Sequence, residues 1–140
     1  MPSLFLVDTS AWIFALRQVP VEAILRRIDT LLEMDVAATC GLVELELLGG
    51  AASEKEYSRL RSRLTGLHRL PIEETDWEGA ARLAFSLRRT GVTVPFTDVL
   101  LSALALRYDA VLLHADRDFD LVAQKSALRV ESLADTMSSL

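Results

Sequence analysis

Cysteine, histidine and lysine are scarce in this chain of 140 residues, and each scarcity removes a class of function. The lone Cys40 cannot form an internal disulfide, and a fold stapled for an oxidising compartment is excluded. Cys40 with His68 and His114 offers no spacing suited to a zinc site, and no motif places a base beside the thiol, so Cys40 reads as a small buried residue. No apolar run approaches the roughly twenty residues needed to span a bilayer; the stretch from Val99 to Leu106 is among the longest. The N-terminus carries neither a basic n-region nor a small-residue cleavage site. A cytoplasmic protein without membrane contact is therefore expected. There is no G-x-x-x-x-G-K-[ST] phosphate loop, which disfavours a nucleoside-triphosphate hydrolase.

What is present suits one globular domain spanning residues 1 to 140. Half of the residues (51%) are hydrophobic and 25% are charged, and no Gly/Ser linker or low-complexity tract divides the chain. The formal net charge of −5 argues at first against a nucleic-acid partner. The basic residues, however, are almost all arginine, only Lys55 and Lys125 being lysine. Arginine is the side chain suited to bidentate phosphate contact, and acids gathered at one metal site would lower the net charge without removing basic surface elsewhere.

The apolar run Leu4 to Val7 ends at Asp8-Thr9-Ser10, a strand followed by helix-capping residues. Helices are expected over 11–17 and 21–34, a strand over 36–39, and an apolar helix over 41–48 stopped by Gly49-Gly50. Ser53 and Glu56 have capping-box spacing for a helix to Leu64, and Leu67 to Pro71 is a weaker strand candidate. Thr75 and Glu78 again have that spacing, before a stripe of Trp77, Ala80, Ala81 and Ala84 on a helix ending near Gly91. Trp12, Phe14, Trp77 and Phe85 all fall in apolar helical patterns and are expected in the core. Asp98 opens an all-round apolar helix to Arg107; then come a buried strand over 110–113, a polar turn over 114–120, a short helix from Val122 and the segment Leu128 to Val130.

This alternation predicts a three-layer α/β domain with a mainly parallel sheet. Ligands in such sheets sit at the carboxyl ends of strands, where strand order reverses. Asp8 and Asp116 follow strands and Asp98 opens a helix after an extended segment, so all three belong at that crevice. With one glutamate of the pair Glu44 and Glu46, they would repel one another unless a cation held the charged forms. All-oxygen ligation favours Mg²⁺ or Mn²⁺, and the chemistry that follows is phosphodiester hydrolysis without a nucleophilic side chain. Asp8, at the end of a central strand, is the candidate to bridge two ions.

The segments Val7-Asp-Thr-Ser-Ala-Trp12, Glu46-Leu-Leu-Gly-Gly50, Thr97-Asp-Val-Leu-Leu-Ser-Ala103 and Leu113-His-Ala-Asp-Arg-Asp-Phe-Asp120 resemble, in order and separation, those of PIN-domain toxins of the VapC family. The resemblance spans nearly the whole chain. It implies a PIN-domain fold and a Mg²⁺- or Mn²⁺-dependent endoribonuclease that arrests growth by cleaving RNA. It also implies a homodimer, encoded with a VapB-type antitoxin whose C-terminal tail covers the acidic site. Carried over by position, its acids fall on Asp8, Glu46, Asp98 and Asp116, as metal ligands and catalytic residues, with Asp118 auxiliary and Thr9 or Ser10 orienting the site. Glu44 and Glu46 point about 200° apart on a helix, so only one can face the crevice; the family's acid-Leu pattern followed by a small residue, here Gly50, selects Glu46. His114 stands where many relatives have Thr or Ser, and is expected to hydrogen-bond or pack.

Plainer readings exist for each residue: Asp8 as a helix cap, Asp98 as an acid at a helix N-terminus, and Asp116, Asp118 and Asp120 as a solvated turn. The arginines of 59–63 and 88–89 are expected to be ordinary solvated surface. Two other functions compete. A Mg²⁺-dependent phosphotransfer or phosphatase domain would want a second Asp where Ser10 stands or, as a receiver, a Lys after a late strand. A non-catalytic PIN-like binding module would be missing one or more of the acids.

Overall fold

The computed structural model describes residues 2–138. Its centre is a five-stranded sheet in the order β3-β2-β1-β4-β5, with every neighbouring pair parallel. The strands are short: β1 is Phe5–Val7, β2 Ala37–Thr39, β3 His68–Arg69, β4 Val111–His114 and β5 Val130–Ser132. Helices carry each crossover. They are α1 (Thr9–Leu16), α2 (Glu22–Glu33), α3 (Gly41–Gly49), α4 (Glu54–Leu64), α5 (Glu74–Arg89), α6 (Phe96–Arg107), α7 (Arg117–Gln124) and α8 (Ala134–Ser138). The three-layer α/β reading holds, and the sheet is parallel throughout.

Parallel strands covered on both faces need apolar side chains on both, which explains the unbroken run Leu-Val of β1 and Leu-Leu of β4. Leu6 pairs with Ala38 on one side and Leu112 on the other, and all three are fully buried. The chain builds outward from β1 through β2 to β3, then returns to the other side of β1 with β4 and β5. Strand order therefore reverses between β1 and β4. The residues that leave the ends of those two strands are Asp8 and Ala115-Asp116.

Three helices end in the same way. After α2, α5 and α6 the residues Asp35, Gly91 and Asp109 adopt φ of 56°, 83° and 51°. In each case the following amide bonds back to a carbonyl five residues earlier: Val36 to Leu31, Val92 to Leu87, Ala110 to Ala105. These are Schellman closures, which satisfy carbonyls left open at a helix end and turn the chain into the next strand or loop.

Several local expectations need correction. Helix α5 is capped through Glu73 and Asp76, not Thr75 and Glu78: the Asp76 carboxylate accepts from the Glu73 amide at 2.8 Å. Asp76 is also held by Arg107 of α6, through Nε at 2.5 Å and Nη2 at 2.9 Å. That ion pair rotates α5 so that Asp76, Ala80 and Leu87 face inward. Trp77 and Phe85, expected in the core, are 57% and 55% exposed, and Ala81 is exposed as well. Trp12 is buried as expected and Phe14 is half-buried. The segment over 114–120 is not a loose turn, because α7 already starts at Arg117. The last strand begins two residues later than the Leu128 to Val130 run suggested, and α8 follows it.

Candidate active site

Asp8 leaves β1 as the N-cap of α1, its carboxylate accepting from the Ser10 amide at 3.0 Å and from Ser10 Oγ at 2.5 Å. It is both a cap and a buried acid, only 7% exposed. Ser10 Oγ in turn accepts from the amide of Ala115, at 3.0 Å, in the segment leaving β4. One hydroxyl thus joins the ends of the two strands at the sheet's switch point. Thr9 points to a different neighbour: its Oγ1 donates to Glu46 Oε1 at 3.0 Å. Glu46 is exposed on α3, whereas Glu44 turns away to an ion pair with Arg69 Nε at 2.9 Å. The choice of Glu46 over Glu44 agrees with this placement.

Asp98 lies in the first turn of α6 and Asp116 is the N-cap of α7, its carboxylate accepting from the Asp118 amide at 3.0 Å. Oxygens of Asp98, Asp116 and Asp118 all lie within 4.8 Å of one another. Asp118, expected only as auxiliary, is therefore a full member of the tightest acidic group among the described residues, and Asp8 borders that group. The signal was available in the sequence: an Asp N-cap whose side chain accepts from the amide two residues on places the next acid in the first helical turn, beside the cap.

The electrostatics of the cluster follow from this crowding. Burial, then the negative charges of Asp116, Asp8, Asp118 and Glu46, push the Asp98 carboxyl up to about 7. Burial raises Asp8 as well, against the lowering effect of the hydrogen bonds from Ser10, and burial and Asp116 raise Asp118. Asp98 is therefore protonated in part near neutrality when no cation is bound, and a divalent cation is what would favour the charged form of every acid in the group. An oxygen-only donor set of this kind fits Mg²⁺ or Mn²⁺ and offers nothing that zinc prefers.

His114 supports the cluster from beneath. It is fully buried at the end of β4, and its Nδ1 accepts from the Asp116 amide at 3.1 Å. That contact leaves the proton on Nε2, which lies 3.3 Å from Asp120 Oδ1 without the alignment of a hydrogen bond. Burial holds the imidazole below its usual range, against the opposing pull of Asp120, Asp8 and Asp116. A neutral ring facing the protein interior is a backbone support, as the packing reading anticipated, and Asp120 is more than a solvated acid: it also accepts from Ser132 Oγ at 2.9 Å.

Comparison with known proteins gives the family and the fold. Residues 5–125 match the PIN domain family. The chain is 33% identical over 133 residues to ribonuclease VapC11 of Mycobacterium tuberculosis, covering 92% of this chain and 98% of the relative. Ribonuclease VapC18 of the same organism is 31% identical over 123 residues, covering 85% of this chain and 87% of the relative. Among solved structures, the DNA-bound VapBC complex of Salmonella typhimurium superposes with a TM-score of 0.79 at 20% identity, over 94% of this chain and 98% of the matched one, which shows a shared fold.

Proposed function

The chain belongs to the PIN-domain family, among the VapC ribonucleases, and from that premise we propose that it is the toxin of a toxin–antitoxin pair, a Mg²⁺- or Mn²⁺-dependent endoribonuclease. The observation that carries the reading is the meeting of Asp8, Glu46, Asp98, Asp116 and Asp118, drawn from four separate segments, around one raised carboxyl. Asp98, Asp116 and Asp118 would hold the cation, with Asp8 and Glu46 at its border. When bound, Mg²⁺ or Mn²⁺ supplies Lewis-acid activation of water and offsets the charge that builds on the phosphoryl oxygens.

The protein's own groups set the geometry. Ser10 fixes the Asp8 carboxylate and ties it to the strand that delivers Asp116. Thr9 steers Glu46 toward the crevice, and His114 fixes the backbone of Asp116. Such supports hold ligating carboxylates in the orientation the reaction needs. The reaction is hydrolysis of an RNA phosphodiester: water oxygen bonds to phosphorus, one phosphorus–oxygen ester bond breaks, and the departing oxygen takes a proton. Growth arrest would be its effect in the cytoplasm. The partners in this reading are a VapB-type antitoxin, whose C-terminal tail would cover the acids, and a second copy of the chain.

The test is to incubate the protein and Asp8→Asn with a structured RNA pool in Mg²⁺, Mn²⁺ or EDTA and to map the cut ends. Cleavage that needs the cation and is lost in the variant is the expected result. Absence of cleavage by the unaltered protein, with cation binding intact, would sink the nuclease reading in favour of a phosphotransfer or binding role.

A further inference from the structure

One buried polar atom beneath the acids, His114 Nε2, has no aligned hydrogen-bond partner among the described residues. The ring is fully buried, and its Nδ1 is taken up by the Asp116 amide. A neutral imidazole that accepts through Nδ1 carries its proton on Nε2, and a buried N–H without an acceptor is costly. Whatever faces that N–H therefore decides how firmly the ring keeps the orientation in which Nδ1 serves Asp116.

The group that faces it is Asp120. Its Oδ1 lies 3.3 Å from Nε2, and its other oxygen, Oδ2, accepts from Ser132 Oγ at 2.9 Å. Ser132 Oγ accepts in turn from the Ala134 amide at 3.4 Å, which leaves the hydroxyl proton for Asp120. Three elements bring these groups together. His114 is the last residue of β4, Asp120 is in the first turn of α7, and Ser132 is the last residue of β5, in register with His114. The Leu133 amide fastens the two strands there by donating to the His114 carbonyl at 2.7 Å. Phe119, also fully buried, packs on the imidazole with ring centroids 5.2 Å apart. A chain of contacts thus runs from an edge strand to the acids: Ser132 to Asp120, Asp120 to the ring, the ring to the Asp116 amide. Asp120 itself stands outside the acidic group of Asp98, Asp116 and Asp118.

We propose that Asp120, oriented by Ser132, is a positioning residue for the acidic centre: it faces the His114 N–H, keeps the ring's lone pair on Nδ1, and through the Asp116 amide fixes the Asp116 carboxylate. In metal sites, a carboxylate behind an imidazole commonly fixes its tautomer and orientation when the ring itself binds the ion. Here the ring grips the backbone of an acid that would bind it. The inference rests on the proposed metal-dependent hydrolysis and adds to it two residues that take no part in the reaction.

The test compares Asp120→Ala, Asp120→Asn and Ser132→Ala with the unaltered protein. The Asp120 side chain is 30% exposed and Ser132 is exposed, so all three variants are expected to fold, which circular dichroism checks. The first readout needs no cation: proton–nitrogen correlation spectra of the imidazoles, assigned with His68→Gln because the chain has only two histidines. A single His114 tautomer, protonated at Nε2, is expected in the unaltered protein and a mixture in Asp120→Ala. Asp120→Ala should also weaken Mn²⁺ binding, read by calorimetry, and lower kcat for RNA by about 10- to 100-fold with KM little changed. In Asp120→Asn the amide oxygen still accepts from Nε2 and the amide nitrogen donates to Ser132, so the single tautomer and most of the activity should return; Ser132→Ala should fall between. A single His114 tautomer with unchanged Mn²⁺ affinity in Asp120→Ala overturns the inference. So does an Asp120→Asn variant as impaired as Asp120→Ala, since the charge of Asp120 and not its hold on the ring would then matter. If the unaltered protein cuts no RNA, the nuclease reading fails by itself, and the tautomer and Mn²⁺ affinity still decide for or against the positioning chain.

Discussion

Asp98 is the residue at which fold and chemistry meet. Its carboxyl, raised to about 7 by burial and four neighbouring acids, binds a proton in the folded protein over a range where the unfolded chain has released it. Between about pH 4 and pH 7 the folded state holds more protons, so stability conferred by this group falls as pH rises through that window. In EDTA, the melting temperature is therefore expected to be lower at pH 8 than at pH 5.5 as far as Asp98 is concerned. Asp98→Asn should raise the melting temperature of the metal-free protein at pH 8 and change it little at pH 5.5. A variant that melts lower than the parent at pH 8 in EDTA would contradict the crowding. Ser10 makes the complementary prediction. Ser10→Ala removes the hydroxyl between Asp8 and the Ala115 amide and should reduce RNA cleavage by about 10- to 100-fold, with the far-ultraviolet spectrum unchanged.

Helix termini carry much of the architecture at the next scale. Gly91 closes α5 at φ 83°, where no neighbouring atom would meet a Cβ, so Gly91→Ala tests backbone conformation without a clash. A cost of about 1 to 2 kcal/mol in urea unfolding is expected. The pair of α5 and α6 has a second tie. Burial pushes the Asp76 carboxyl up, but the hydrogen bonds and charge of Arg107 bring it below its ordinary value. Arg107→Met leaves that fully buried carboxylate without its partner and should destabilise by about 3 to 5 kcal/mol at neutral pH. Its lowered value places the stabilisation by Asp76 above the acid range, to be lost as pH falls through the folded value; the Met variant should show a smaller loss on acidification. Asp76 also explains why the inward face of α5 differs from its apolar stripe. The apolar stripe of Trp77, Ala80, Ala81 and Ala84 has helical spacing, yet the helix is turned by an ion pair to a residue 31 positions away.

For the whole molecule, cation binding and stability are one equilibrium. A ligand at 100 times its dissociation constant stabilises by about 2.7 kcal/mol. Mg²⁺ or Mn²⁺ should therefore raise the melting temperature at pH 8 by several degrees, and Asp116→Asn should abolish the rise, which differential scanning calorimetry reads directly. Among the described residues no helix is long and apolar enough to cross a membrane. The switch of strand order between β1 and β4 places the acids that follow β1 and those of α6 and α7 at the carboxyl ends of the central strands, and the parallel pairing of β1 with β4 puts Asp8 beside Asp116.

Apolar periodicity along the chain was enough to identify the alternating α/β architecture, the central β1, the buried α6 and the places where Asp8, Asp98 and Asp116 had to lie. These follow from local rules: side-chain period, capping residues, and the habit of parallel sheets to bind ligands at strand ends. The family motifs added Glu46, which helical geometry alone left in competition with Glu44. Only the tertiary structure decided that Ser10 joins two strands 105 residues apart in sequence and that His114 is a buried support whose imidazole burial holds below its usual range. It also decided that Trp77 and Phe85 face outward. The physical reason is common to all of these. A side chain's neighbours along the chain are set by bond geometry, but its charge state and exposure depend on groups that only folding brings near, and those contacts are not written in any local pattern.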